Sequence, residues 1–90
     1  MVIAKLNKVK GVDALGVSRV LGANKTLIFI EPILDPSQFV DMSIRIQDGT
    51  YDCVVFDEGA IFDEGAYQLA HQFVELNADK IKVVVYQYPN

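Results

Sequence analysis

MSIRIQDGTYDCVVFD, residues 42 to 57, can be read in two ways that lead to different folds. Read as strands, Ile44 and Ile46 alternate with polar neighbours, Asp48-Gly49 forms a hairpin turn, and Cys53 to Phe56 is a continuous apolar strand. Read as a helix followed by a strand, Phe39, Met42 and Ile46 share helical spacing, and residues 36 to 47 form one element before the same apolar run. The β-branched residues and the Asp-Gly turn favour the strands.

Working outward, VIAKL (2 to 6) reads as a first strand. Asp13 can cap a helix running to about Ala23, with Ala14, Val17, Val20 and Leu21 on one face and Gly22 and Asn24 as stop signals. KTLIFIEPIL (25 to 34) is the next strand. Its run Leu27 to Ile30 is apolar on both faces, a central-strand pattern, and Pro32 and Pro36 end it because proline supplies no ladder N–H. A helix is expected from Asp63 to about Ala78, where Ala66, Leu69, Ala70, Phe73, Val74 and Asn77 form an apolar stripe. KIKVVVYQYP (80 to 89) closes as a strand. In 90 residues this order predicts a single α+β domain spanning residues 1 to 90. Its form would be a sandwich with a mixed sheet of four to five strands and two helices on one face, in ferredoxin-like order. If residues 36 to 47 are helical, the alternative is a small doubly wound P-loop-like α/β sheet.

Composition bounds the function. The chain is 51% hydrophobic and 22% charged, the balance of a globular protein, and no apolar run approaches the ~20 residues that span a bilayer. MVIAKLNKVKG places its basic residues after a short apolar stretch, the reverse of a secretory signal. Cys53 is alone, which excludes an intrachain disulfide and fits a reducing compartment, so a cytoplasmic protein is expected. The net charge of −4 is uneven. Residues 31 to 79 carry eleven acids against Arg45 alone, while residues 1 to 30 carry five bases against Asp13. An acidic middle disfavours nucleic acid, whose phosphates need a basic stripe, and suits a basic protein partner or a second copy.

FDEGAIFDEGAY (56 to 67) is one hexamer written twice, and it sets two acidic pairs six residues apart. Asp63 and Glu64 suit a helix start, where a carboxylate accepts an orphan N–H and meets the positive end of the dipole. Asp57 and Glu58 end an apolar strand. With Asp52 the four make a candidate acidic patch. YDCVVFDEGAIFDE resembles the Walker B stretch of thymidine-kinase-type P-loop enzymes, and the resemblance implies magnesium and a general base at Asp57 and Glu58. Gly11-Val12-Asp13-Ala14-Leu15-Gly16-Val17-Ser18 has the P-loop spacing of two glycines and a hydroxyl, with Val17 where that family places its phosphate-binding lysine. The strand–helix order is similar to the RNA-recognition motif, but VIAKLN has no aromatic on which a base could stack. Glu31 to Asp35 resembles the toprim Glu-x-x-x-Asp, with Pro32 in place of the glycine and no later Asp-x-Asp.

His71, the only histidine, lies on the polar side of its helix between Tyr67 and Glu75, and no serine or cysteine forms a nucleophile motif with it. An enzyme, a cofactor and a metal site are therefore not expected. On the last strand Lys80, Lys82, Val84, Tyr86 and Tyr88 share one side, and Ile81, Val83, Val85 and Gln87 share the other. With two helices on one sheet face, the tyrosine side would be open and would serve self-association or a protein partner. The expected function is a small, soluble, non-enzymatic interaction module: a self-associating subunit, or an acidic inhibitor or adaptor for a basic protein. The alternative is a degenerate P-loop-like protein that binds nucleotide or magnesium through Asp57 and Glu58.

Overall fold

The computed structural model describes residues 1–7 and 13–88. Its elements are β1 (Val2–Asn7), α1 (Ala14–Val20), β2 (Thr26–Phe29), α2 (Pro36–Gln47), β3 (Cys53–Phe56), a single 3₁₀ turn (Glu58–Ala60), α3 (Glu64–Leu76) and β4 (Val83–Tyr88). The strands form one sheet in the order β1-β4-β3-β2, and every pair is parallel. The protein is thus a small α/β domain with a four-stranded parallel sheet and three helices, where a mixed sheet in ferredoxin-like order was expected.

The difference comes from residues 36 to 47, which are helical. Pro36 does not end a strand, since β2 stops at Phe29. It occupies the first turn of α2, where the N–H it lacks would have had no partner. Asp35 caps that helix, its carboxylate accepting the Ser37 N–H at 2.9 Å. Nor is Asp48-Gly49 a hairpin turn. Gly49, at φ +86, accepts the left-handed conformation that ends α2, and the Thr50 and Gly49 N–H groups donate to the Arg45 and Ile46 carbonyls at 2.9 and 3.2 Å. A type I′ turn would need positive φ at both central residues, and Asp48 has φ −84. Gly22 (φ +98) ends α1 in the same way, with Ala23 and Gly22 donating to Ser18 and Arg19.

Because parallel strands need crossovers, helices cover both faces of the sheet. Ile46 of α2 and Ala70, Phe73 and Val74 of α3 pack with Phe29, Val54, Phe56, Val84 and Tyr86 on one face. Ala14 of α1 packs with Cys53, Val55, Val83 and Val85 on the other. The two helices expected together on one face are therefore on opposite faces. The expected α3 stripe holds at Ala66, Ala70, Phe73, Val74 and Asn77, which are buried, while Leu69 stays partly exposed. On α1, Ala14 and Ser18 point inward and Val20 is solvent-facing, because a seven-residue helix presents only two turns to the sheet. β3 and β4 are central and enclosed on both faces, whereas β2 is an edge strand despite its apolar run, and Ile28 remains half-exposed.

An aromatic ladder runs through the larger core. Phe56 stacks between Phe29 at 5.1 Å and Tyr86 at 5.5 Å, and Phe73 meets Phe29 and Phe39 edge-on at 5.5 and 5.2 Å. Such pairs add about 0.5–1.5 kcal/mol each beyond area burial. Buried Asn77 ties α3 to α2. Its amide donates to Ser43 Oγ at 3.1 Å and to the Phe73 carbonyl at 3.0 Å, and its oxygen accepts from Gln47 at 3.1 Å.

Candidate functional site

The five residues of the expected acidic patch do not form one patch. Asp52 precedes β3, and Asp57, Glu58, Asp63 and Glu64 come after it, so the strand separates them by about 13 Å of extended chain. At its own end Asp52 holds structure together. Its carboxylate accepts the Lys25 N–H at 3.0 Å and lies 3.9 Å from Lys82 Nζ. At the other end both aspartates are caps. Asp57 accepts the Glu58 N–H at 2.8 Å to open the 3₁₀ turn, and Asp63 accepts the Ala66 N–H at 2.7 Å to open α3.

Asp57 and Glu58 do stand at the carboxyl end of a parallel strand, where open α/β sheets place their ligands. Of the phosphate side of that reading, only Asp13 to Ser18 is described. Gly11 and Val12 lie outside the described residues. In the rest of the loop-like stretch, Asp13 turns its carboxylate onto the start of α1, accepting the Leu15 N–H at 3.1 Å, so a negative charge already sits there. Ser18, which would supply the hydroxyl, is buried and donates to the Leu15 carbonyl at 2.9 Å. No group of three or more His, Cys, Asp or Glu that could hold a metal occurs among the described residues. Cys53 is buried, and burial pushes its thiol pKa up, away from the reactive thiolate. His71 stacks on Tyr67 and lies 3.2 Å from Glu75 along its own helix.

The C-terminal strand does not present the expected open side. Val84 is fully buried and Tyr86 is 1% exposed, both beneath the helical layer, because α2 and α3 cover the face that two helices had been expected to leave bare. Lys80 and Lys82 precede the strand and are exposed, and Lys82 meets Asp52 of its own chain. Tyr88 alone keeps partial exposure, beside Tyr67, Phe62 and Glu64. Burial, then Tyr67, raises its phenol pKa.

An apolar opening lies elsewhere, along the outer side of α2. Two adjoining hollows of about 490 and 320 Å³ share Phe39 and Val40. Ile44 and Leu76 extend the floor in one direction, and Leu34 and Leu69 extend it in the other. Leu34 is 78% exposed and Leu76 63%. Together the hollows run along twelve residues of α2, about 18 Å of helix. Their charged lining consists of Asp35 at one end and Asp48 at the other. Hydrogen bonds from the Ser37 N–H and hydroxyl hold the Asp35 carboxyl below its usual pKa range. Those from the Thr50 hydroxyl and N–H do the same at Asp48, with Arg45 adding to them. A strand reading of residues 42 to 47 hides this groove. Once the segment is helical, Phe39, Met42 and Ile46 face the core, which leaves Val40 and Ile44, four residues apart, on a second apolar stripe.

No protein-family model, curated protein or solved structure matches the chain. No helix among the described residues is long and apolar enough to cross a membrane.

Proposed function

We propose that the chain is a non-enzymatic interaction module whose α2–α3 groove receives an amphipathic helix with basic ends from a partner protein. The observation that carries this reading is the groove: an apolar floor about three helical turns long, with a carboxylate at each end. Helix-in-groove recognition uses apolar anchors at i, i+3, i+4 and i+7, which a trough of this length can seat. Asp35 and Asp48 then supply register and orientation to lysine or arginine at the two ends of the guest. The acidic balance of residues 31 to 79 favours approach of a basic chain.

The test uses a labelled peptide of about 16 residues, long enough to hold helical turns, with leucines at those spacings and lysines at both ends. Fluorescence anisotropy should show micromolar binding that falls at least about tenfold, or 1.4 kcal/mol, with Ile44→Glu. It should fall likewise when the peptide's lysines become glutamates. Binding that ignores both changes, or no binding, would defeat the proposal. The nucleotide or magnesium reading keeps one observation in its favour, the strand-end position of Asp57 and Glu58. In the same series, calorimetry with Mg²⁺ and ATP would favour it if heat appeared and vanished with Asp57→Asn.

A further inference from the structure

The structure assigns a second interface, independent of the groove: β1 pairs antiparallel with β1 of a second copy across a two-fold axis at Ala4, joining two four-stranded sheets into one of eight. Among the described residues β1 has a strand on one side only, β4. The Val2 N–H donates to the Lys82 carbonyl at 2.8 Å, so Val2, Ala4 and Leu6 turn their backbone groups toward β4. Ile3 and Lys5 therefore turn theirs outward. A six-residue edge with one charge, no proline and no bulge is a template for another strand. The opposite edge is blunted: β2 has four residues and runs on into Glu31 and Pro32.

Chemistry selects the occupant and the register. In an antiparallel pair, opposed residues share a sheet face, so a two-fold axis must pass midway between one residue and its own copy. Centring on Lys5 would set the two lysines directly opposite, a destabilising like-charge pair. A centre at Ile3 forfeits the pairing of Leu6. At Ala4 every requirement is met. Ile3 and Lys5 of the partner exchange both N–H···O bonds, and the symmetric pair repeats them, so the outward-facing amides of Ile3 and Lys5 in both copies find carbonyls. On the α1 side, Val2 meets the partner's Leu6 and Ala4 meets Ala4, an uncharged apolar row. On the other face, the partner's lysine stem would cover Ile3, which is 50% exposed in the single chain. The strand is complementary to itself, as an isologous interface requires.

Sedimentation at ~100 μM should show a dimer, where a Kd of ~10 μM already leaves most chains paired. Ile3→Pro removes an outward N–H and spares the β1–β4 ladder, so it should yield a monomer with an unchanged circular dichroism spectrum. Ala4→Cys tests the register without relying on that variant. Across a non-hydrogen-bonded pair the Cα atoms sit about 4.5 Å apart, within disulfide reach. Ala4→Cys should form a reducible dimer on mild oxidation. Val2→Cys should not, because its two copies lie about 13 Å apart along the strands. Buried Cys53 adds little background. A monomer at ~100 μM, a dimer indifferent to Ile3→Pro, or cross-linking as complete at position 2 as at position 4 would overturn the assignment.

Discussion

In the first copy of the repeated hexamer, residues 56 to 61, Phe56 is fully buried and the chain makes one 3₁₀ turn before moving on. In the second copy, residues 62 to 67, Phe62 is 66% exposed and the same Asp-Glu-Gly-Ala opens a thirteen-residue helix. The cap chemistry is shared: an aspartate carboxylate accepts an N–H of the turn it begins, at 2.8 Å in one copy and 2.7 Å in the other. The residues beyond each cap differ. After Asp63 comes an apolar stripe with helical spacing, which core contact rewards turn after turn. After Asp57 come Ala60 and Ile61, whose burial is complete within one turn. Identical residues open a turn in both copies, and the neighbours decide whether it stays a 3₁₀ turn or becomes an α-helix.

The largest test of this contrast is the phenylalanine. Phe56→Ala should cost about 3–5 kcal/mol in urea unfolding, since it removes the middle ring of the Phe29–Phe56–Tyr86 stack. Phe62→Ala should change stability by no more than about 0.5 kcal/mol. Similar costs would erase the distinction.

The glycines should separate by less, and in opposite directions. A Cβ on Gly59 would stand 2.5 Å from the Ile30 carbonyl oxygen, which is backbone and cannot swing aside. Gly59→Ala should therefore cost about 1–3 kcal/mol. A Cβ on Gly65 meets only the Asp63 carboxylate, at an ordinary 3.5 Å, so Gly65→Ala should leave stability equal or raise it by up to about 1 kcal/mol. A thermal melt of each variant checks both signs.

The smallest effect belongs to the sixth position, where Ile61 is replaced by Tyr67. The Tyr67 ring packs on Tyr86 at 5.4 Å, and the Tyr86 hydroxyl is buried with no hydrogen-bond partner among the described residues. Tyr86→Phe removes that unpaired group and should raise stability by up to about 1 kcal/mol at neutral pH. Burial first, then Tyr67, Tyr88 and Glu75, push the Tyr86 phenol from 10.0 up to about 12. The folded state thus favours the neutral phenol. Its contribution is complete below pH 10 and is lost as pH rises toward 12, because the unfolded chain ionises first. Unfolding curves at about pH 8 and about pH 11 should diverge less for Tyr86→Phe than for the natural chain. Equal divergence would remove Tyr86 from the alkaline transition.

Helix α3 was legible in outline, because Asp63 is a cap and the stripe from Ala66 to Asn77 has one period, although Leu69 stays partly exposed and the helix stops at Leu76. So were β1, β3 and β4, the cap at Asp13 and the stop at Gly22. Of the candidate site, the carboxylates were visible, and the legible strand from Cys53 to Phe56 already set Asp52 at one end and Asp57 at the other. The burial of Val84 and Tyr86 was not visible, because it depends on which sheet face the helices cover.

By itself, then, the sequence determined the local starts and stops: which residues could cap, which apolar runs could be strands, and where charge had to face water. Cap bonds and apolar periodicity act over a few residues and are written in those residues. Only the tertiary structure decided what Asp48-Gly49 terminates, since glycine at positive φ serves a hairpin or a helix end alike. With residues 36 to 47 helical, the crossover made β2 and β3 parallel, brought helices to both faces, and enclosed Val84 and Tyr86. It also turned Val40 and Ile44 outward into the groove. Which way that segment folds depends on the burial of Phe39, Met42 and Ile46 against Phe73 and the sheet, and those contacts lie far along the chain from the residues that make them.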